Sequence, residues 1–279
     1  MALFTNKVVI VTGAGNGLGR SHALAFAKEG AKVVVNDVGG DRAGAGKGNM
    51  AADQVVDEIK KAGGDAVANY DSVATVEGAD RIMWSALAKF GRVDVLVNNA
   101  GILRDKSLVN MSQAEFDLVL DVHLKGTYFC TQAAARLMKV QGQGGRIVNT
   151  TSLSGLLGNF GQANYSSAKA GIYGLTRTAS MEFAKMNVTV NAIAPVALTR
   201  MTEDIDMVKG MGENLAPERV TPMVLFLASE EAKSITGRIF GCQGGRFFEY
   251  WMEQNQGWDS GKVASVAEIA ENFKKIAKA

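Results

Sequence analysis

The chain has 279 residues, with 30 basic and 28 acidic side chains and a formal net charge of +2. No long run carries one sign, so neither a nucleic-acid nor a membrane surface is marked. Two cysteines, Cys130 and Cys242, and two histidines in all leave no zinc-ligand set, and no apolar run approaches the ~20 residues of a membrane span.

Residues 7–12 (KVVIVT) form a nearly continuous β-branched run, the pattern of a strand buried on both faces. The opening stretch runs straight into this strand without the layout of a signal peptide, and the reading is of a cytoplasmic protein with reduced thiols. A turn rich in glycine follows, Gly13-Ala14-Gly15-Asn16-Gly17-Leu18-Gly19, then a helical pattern to residue 29 and a second strand over 31–37 ending in Asp37. Strand, glycine turn, helix and strand-terminal acid together form a dinucleotide-binding βαβ unit. The glycines serve a tight turn, backbone approach to a pyrophosphate and close helix–strand packing, while the free N–H groups of the helix start face the phosphate charge. Gly13, Asn16, Gly17, Leu18 and Gly19 are therefore candidate cofactor contacts. Asp37 would accept from both ribose hydroxyls and repel a 2′-phosphate, and no Arg or Lys directly follows it, so NAD is favoured over NADP.

Residues 39–48 (GGDRAGAGKG) are an insertion read as a flexible surface loop rather than a phosphate loop, because Gly-Lys is not followed by Ser or Thr. Helical patterns over 50–62 and 75–90 flank a third strand, 65–70, which leads to Asp71 and Ser72 at the adenine position. A fourth strand, 93–97, ends in Asn98-Asn99-Ala100-Gly101, and small turn formers at a strand's carboxyl end suit a cofactor crevice; Asn99, Ala100 and Gly101 join the candidate contacts. Ser112 and Glu115 make a capping box opening a long helix to about residue 140. His123 lies on that helix, readable either as a hydrogen-bonded core residue or as part of the site.

Residues 146–150 form a fifth strand delivering Ser152, and Gly155, Gly158 and Gly161 loosen the link to a helix running to about residue 186. That helix carries Tyr165 and Lys169, four apart and hence on one face. Such a pair arises often by chance on helical surfaces. In a site, a fixed ammonium would lower the phenol's pKa from about 10 and make it a general acid/base. A sixth strand over 188–194 ends at Pro195, residues 199–216 read as a flap over a pocket, a helix spans 217–229 and a seventh strand spans 238–241. The tail from 246 opens on aromatics and ends in an amphipathic helix over 265–278. Strands alternating with helices predict a Rossmann-type, doubly wound, seven-stranded parallel sheet in a single domain over 1–245, with a C-terminal helical extension over 246–279 packing on or near it.

With Thr12-Gly13-x-x-x-Gly17-x-Gly19, Asn98-Asn99-Ala100-Gly101, Ser152 and Tyr165-x-x-x-Lys169 in this order, the chain resembles the short-chain dehydrogenase/reductase family over about residues 5–245. The resemblance implies that Ser152 holds the substrate oxygen, Tyr165 transfers the proton, and Lys169 binds the nicotinamide ribose and tunes the tyrosine. Tyr165 and Lys169 thus count among both catalytic and cofactor contacts. It also implies a proton path through an asparagine in the long fourth helix, where this chain has His123. Pro195-Val196 stands where the family has Pro-Gly, with Thr199 as the carboxamide contact.

The stretches VVVNDVGGDRAGAGKG, VANYDSV, NNAGILRDKS, DVHLKGT and GNFGQANYSSAK are similar to the (3R)-hydroxyacyl-CoA dehydrogenase part of type 2 multifunctional enzymes and their free-standing bacterial relatives. This implies NAD-dependent oxidation of a (3R)-3-hydroxyacyl thioester. The alternatives are a steroid or other secondary-alcohol dehydrogenase, a 3-oxoacyl carrier-protein reductase, or an NAD-sensing scaffold. Small residues on the Tyr165 helix suggest a homodimer or homotetramer.

Overall fold

In the computed structural model, residues 2–46, 48–197 and 215–277 are described. Thr199 and the expected flap up to residue 214 lie outside them, as does residue 278 of the final helix. The chain divides into two compact units, Met1–Glu249 and Tyr250–Ala279.

The first unit is built on strands β1 (Val8–Thr12), β2 (Lys32–Asn36), β3 (Asp65–Asn69), β4 (Val95–Asn98), β5 (Gly145–Thr150), β6 (Val188–Val196), β7 (Ile239–Gln243) and β8 (Arg246–Tyr250). Their order across the sheet is β3-β2-β1-β4-β5-β6-β7-β8, and β1 to β7 pair in parallel. The order reverses at β1/β4, which opens a crevice at the strands' carboxyl ends. Beyond the seven expected strands, β8 adds an eighth. Only Gly244 and Gly245, both at positive φ, separate it from β7, and so short a link joins antiparallel strands alone.

Helices cover both faces of the sheet: α1 (Gly17–Lys28), α2 (Met50–Lys61), α3 (Val76–Phe90), α4 (Gln113–Leu120), α5 (Gly126–Gln141), α6 (Leu153–Leu157), α7 (Ala163–Glu182) and α8 (Thr221–Ala228). Side-chain alternation divides the core. Val9, Val11, Val33 and Val35 pack with Phe26, Ile59 and Leu227 from α1, α2 and α8. Val8, Ile10 and Val34 pack with Ile82, Met138 and Ala179 from α3, α5 and α7. A strand buried on both faces therefore reads as an unbroken apolar run, which is why the first strand was legible.

Three local differences from the sequence reading have physical causes. Strand β6 runs through Pro195 to Val196 instead of stopping before it. Ala192 N donates to Arg238 O on the β7 side, and Ile193 O accepts from Thr151 N on the β5 side. Pro195 therefore faces the β5 side, where pairing has already ended at Ile193, and its missing N–H breaks no ladder bond. Residues 153–157, read as a loose link, form the short helix α6, with Ser152 as its N-cap. The long helix is interrupted: between α4 and α5, residues Asp121–Lys125 form a π turn, with His123 at its centre. Such a turn inserts one extra residue and re-aims the side chains beside it.

The second unit contains helix α9 (Val266–Ile276), opened by a capping box. Ser265 Oγ accepts from Glu268 N at 3.2 Å, and Ser265 N donates to the Glu268 carboxylate at 2.8 Å. Among the described residues no helix is long and apolar enough to cross a membrane.

Candidate active site

The glycine turn joins β1 to α1, and close packing dictates its composition. A Cβ on Gly19 would lie 2.1 Å from Gly13 O, so only glycine fits. Asn99 clamps the turn from the end of β4: its Nδ2 donates to Thr12 O and Gly13 O, both at 3.0 Å. The backbone amides of Asn99 and Ala100 donate to Thr12 Oγ1 at 3.0 and 3.1 Å. Helix α1 has no side-chain cap from Asn16 and no acid in its first turn, leaving its N–H groups available to an anion. Asp37 holds the turn from the other side, with one carboxylate oxygen accepting from Gly15 N and the other from Gly39 N, each at 2.8 Å.

A cavity of about 500 Å³ opens here. Of the expected cofactor contacts, Gly13, Asn16, Gly17, Leu18, Asp37, Asp71, Ser72, Asn99, Ala100 and Gly101 line it, whereas Gly19, Tyr165, Lys169 and Pro195 do not. Gly19 is enclosed behind the turn, and Pro195 lies in β6 opposite Cys242. The cleft's size, the exposed helix start and the strand-end acid suit a dinucleotide.

The insertion differs from the expected free loop. Gly40, Asp41, Arg42, Gly44 and Gly46 line the cavity. The loop is tied internally by Asp41 Oδ1, which accepts from Ala43 N and Ala45 N at 2.9 Å. It is tied externally by Leu103 N to Arg42 O at 2.9 Å and by Arg104 Nε to Ala43 O at 2.7 Å. Its position directly after Asp37 was the signal for this, although glycine content alone does not distinguish a docked loop from a loose one.

Ser152, Tyr165, Lys169 and His123 come together beyond the cavity. A buried polar chain hangs α7 on the sheet: Asn98 Nδ2 donates to Asn149 Oδ1 at 2.9 Å, and Asn149 Nδ2 donates to Thr176 Oγ1 at 3.0 Å. Thr151 Oγ1 donates to Lys169 O at 2.7 Å, and Lys169 Nζ donates to Thr150 O at 2.6 Å. The Ser152 hydroxyl, which accepts from Ser154 N at 3.2 Å, acts on the tyrosine hydroxyl in favour of its ionised form. The lysine nitrogen lies 5.5 Å from the tyrosine ring centroid. The His123 ring meets the tyrosine ring edge-on, centroids 5.2 Å apart and planes at 89°. His123 Nε2 lies 2.8 Å from Ile102 O and 3.0 Å from Ile102 N, while Nδ1 is buried with no hydrogen-bond partner among the described residues.

Burial dominates the electrostatics. It pushes Tyr165 up to about 12, with the Ser152 hydroxyl opposing and the Asp105 charge adding to the rise. It lowers Lys169 to about 7. His123 falls to about 3, through burial and then the Lys169 charge, against the Ile102 hydrogen bond, so the imidazole is neutral at physiological pH. The expected lowering of the phenol by the neighbouring ammonium is not found: burial is the largest cause acting on Tyr165, and Lys169 Nζ is aimed at Thr150 O.

Beyond Gly101, sequence reasoning gave no structural role to the segment that follows, residues 102–106, which forms a strap. It binds the insertion on one side and the start of α7 on the other. Asn164 Nδ2 donates to Arg104 O at 2.9 Å, Gln162 Nε2 to Asp105 Oδ2 at 2.8 Å, and Lys106 N to Gly161 O at 2.7 Å.

The family description "short chain dehydrogenase" matches residues 7–209. A peroxisomal hydratase-dehydrogenase-epimerase of Saccharomyces cerevisiae is 52% identical over 254 residues, 91% of this chain and 28% of that protein. A peroxisomal multifunctional enzyme type 2 of Drosophila melanogaster is 53% identical over 241 residues, 86% of this chain and 40% of that protein. The chain thus spans well under half the length of these relatives. A solved short chain dehydrogenase from Mycobacterium avium superposes with a TM-score of 0.88 at 45% identity, covering 99% of this chain and 97% of the other.

Proposed function

This chain belongs to the short-chain dehydrogenase family, and from that premise we propose that it interconverts (3R)-3-hydroxyacyl-CoA and 3-oxoacyl-CoA with NAD. The observation that carries the chemistry is Tyr165 held against the buried Lys169, whose Nζ lies 5.5 Å from the tyrosine ring centroid, with Ser152 at the end of β5 acting on the same phenol. An oxidoreductase acting on a CH–OH group needs an oxygen clamp and a proton acceptor on one carbon's substituent, and Ser152 and Tyr165 supply both. Ser152 donates to the substrate oxygen, Tyr165 takes the hydroxyl proton, and Lys169 stabilises the phenolate that removes it. NAD, when bound, supplies the carbon that accepts the hydride. Holding both reactants at near-contact distance contributes much of the rate.

His123, neutral and fastened to Ile102, backs the tyrosine ring as a prop rather than a charged relay. Asp37, with Gly15 and Gly39 on its oxygens, favours ribose hydroxyls over a 2′-phosphate. For the thioester, support comes from the likeness to multifunctional enzymes and from the exposed apolar side chains that follow Ser152, Leu157 at the end of α6 and Phe160 in the link to α7. The exposed face of α7, with Ala170, Gly174 and Met181, supports a homo-oligomer.

Purified protein mixed with NAD and (3R)-hydroxybutyryl-CoA should generate reduced-nicotinamide absorbance, with NADP at least tenfold poorer in kcat/KM. Silence across acyl chain lengths would remove the thioester assignment. Tyr165→Phe should abolish turnover while NAD binding stays within a fewfold of wild type; turnover in that variant would exclude Tyr165 as the proton acceptor.

A further inference from the structure

The insertion after β2 is tied at both ends of the site. Its neck is closed beside Asp37, where Gly39 N donates to Asp37 Oδ1 at 2.8 Å and Gly48 N donates to Val38 O at 3.0 Å. Its tip meets the strap: Arg42 O accepts from Leu103 N at 2.9 Å, and Ala43 O from Arg104 Nε at 2.7 Å. Beside these bonds the Ile102 side chain lies against the bare backbone of Gly44, where an added Cβ would stand 3.2 Å from both Ile102 Cδ1 and Cγ2. Gly44 and Ile102 both line the cofactor cavity.

Ile102 is buried, and its main chain continues the connection. His123 Nε2 lies 2.8 Å from Ile102 O and 3.0 Å from Ile102 N, so the neutral ring can serve only one of them at a time. With its proton on Nδ1 the ring would bury an N–H that no described residue accepts, and such orphans are rare. The proton therefore sits on Nε2 and is donated to Ile102 O. That bond fixes the ring, which stands edge-on to Tyr165 with centroids 5.2 Å apart. The same strap holds the tyrosine's backbone. Arg104 O accepts from Asn164 Nδ2 at 2.9 Å, and Asn164 Oδ1 accepts from Tyr165 N at 2.7 Å.

We propose that Ile102 is a positioning residue through which the docked insertion holds Tyr165 in place, so that the loop lining the cofactor cavity also sets the rate of proton transfer. This rests on the readings of the cavity as the NAD site and of Tyr165 as the proton acceptor. Each link is a contact: Gly44 on the Ile102 side chain, the Ile102 main chain on His123, and His123 on the tyrosine ring. The path runs through packed and hydrogen-bonded groups, and a small displacement of a reacting group costs rate steeply. A loop that only gripped the cofactor would need no bonds to the strap.

Two variants test this, Ile102→Ala and replacement of residues 41–46 by a two-residue turn. With NAD and hydroxyacyl-CoA both saturating, each should lower kcat about tenfold, and the double variant should be no slower than the slower single one. A raised KM for NAD with unchanged kcat would mean that the loop only holds the cofactor, and would overturn the proposal. Strict multiplication of the two losses in the double variant would do the same. If no substrate turns over, the function reading fails separately, and the two histidines of the chain decide the matter without turnover. In nitrogen NMR of histidine-labelled protein without NAD, His123 should show the neutral Nε2–H tautomer, assigned with a His22→Gln sample. In both variants its ring nitrogens should move toward the averaged shifts of a solvated imidazole, while those of His22 stay in place. Unmoved His123 signals in either variant, or equal movement of both histidines, would overturn the proposal.

Discussion

Gly101 is a residue whose identity a neighbour dictates. A Cβ there would lie 2.3 Å from His123 Cε1, inside a ring that is itself pinned to Ile102 and Tyr165. Gly101→Ala should destabilise the fold by about 1–3 kcal/mol, as overpacking generally does, and should lower kcat by displacing the ring behind Tyr165. Adding His123→Ala should recover part of the stability, giving a coupling above about 0.5 kcal/mol in urea titrations; simple additivity would mean the ring is not the obstacle. At this scale the sequence was informative wherever chemistry needs a residue type at a spacing. Ser152, Tyr165 and Lys169 were legible because one strand end and one helical turn bring them together. The bond that ties the strap to α7, Asp105 to Gln162, was not, because the two are 57 positions apart and no local pattern links them.

The elements show a similar division. Amphipathic periods and caps placed the helices closely, and the capping box at Ser112 and Glu115 is present as read. The π turn at His123 was not read, since the phase shift that one additional residue brings to the apolar stripe is hard to see across the short stretches on either side. The insertion was misread for a related reason: glycine-rich composition describes backbone freedom, and only tertiary hydrogen bonds reveal that the freedom has been used. Replacing residues 41–46 by a two-residue turn should therefore keep the far-ultraviolet circular dichroism while weakening NAD binding about tenfold, roughly 1.4 kcal/mol. Unchanged affinity in a fluorescence titration would return the insertion to a passive surface loop.

Across the whole molecule, two buried histidines link stability to pH. His22, in α1, has Nδ1 2.8 Å from Thr221 Oγ1 and is lowered by burial to about 3; His123 is lowered similarly. Both bind protons more readily when unfolded, from a reference of 6.5, so the folded state is undisturbed above pH 6.5 and is progressively lost as pH falls toward 3. Each should withdraw up to about 1.4 kcal/mol per pH unit within that window. Urea midpoints at pH 7 and pH 5 should show the loss, and His22→Gln should flatten it. An equally steep decline in that variant would assign the effect to other groups.

By itself the sequence determined the doubly wound α/β plan, the glycine turn, Asp37 and the pairing of Tyr165 with Lys169. Each of these follows from residue type and short spacing, through side-chain alternation, helical period and the steric freedom of glycine. Only the tertiary structure decided that the insertion closes over the crevice, that β6 passes through its proline and that His123 sits in a widened turn against Tyr165. These depend on hydrogen bonds and packing between segments tens of residues apart, where burial, and not sequence neighbours, sets both the geometry and the charge.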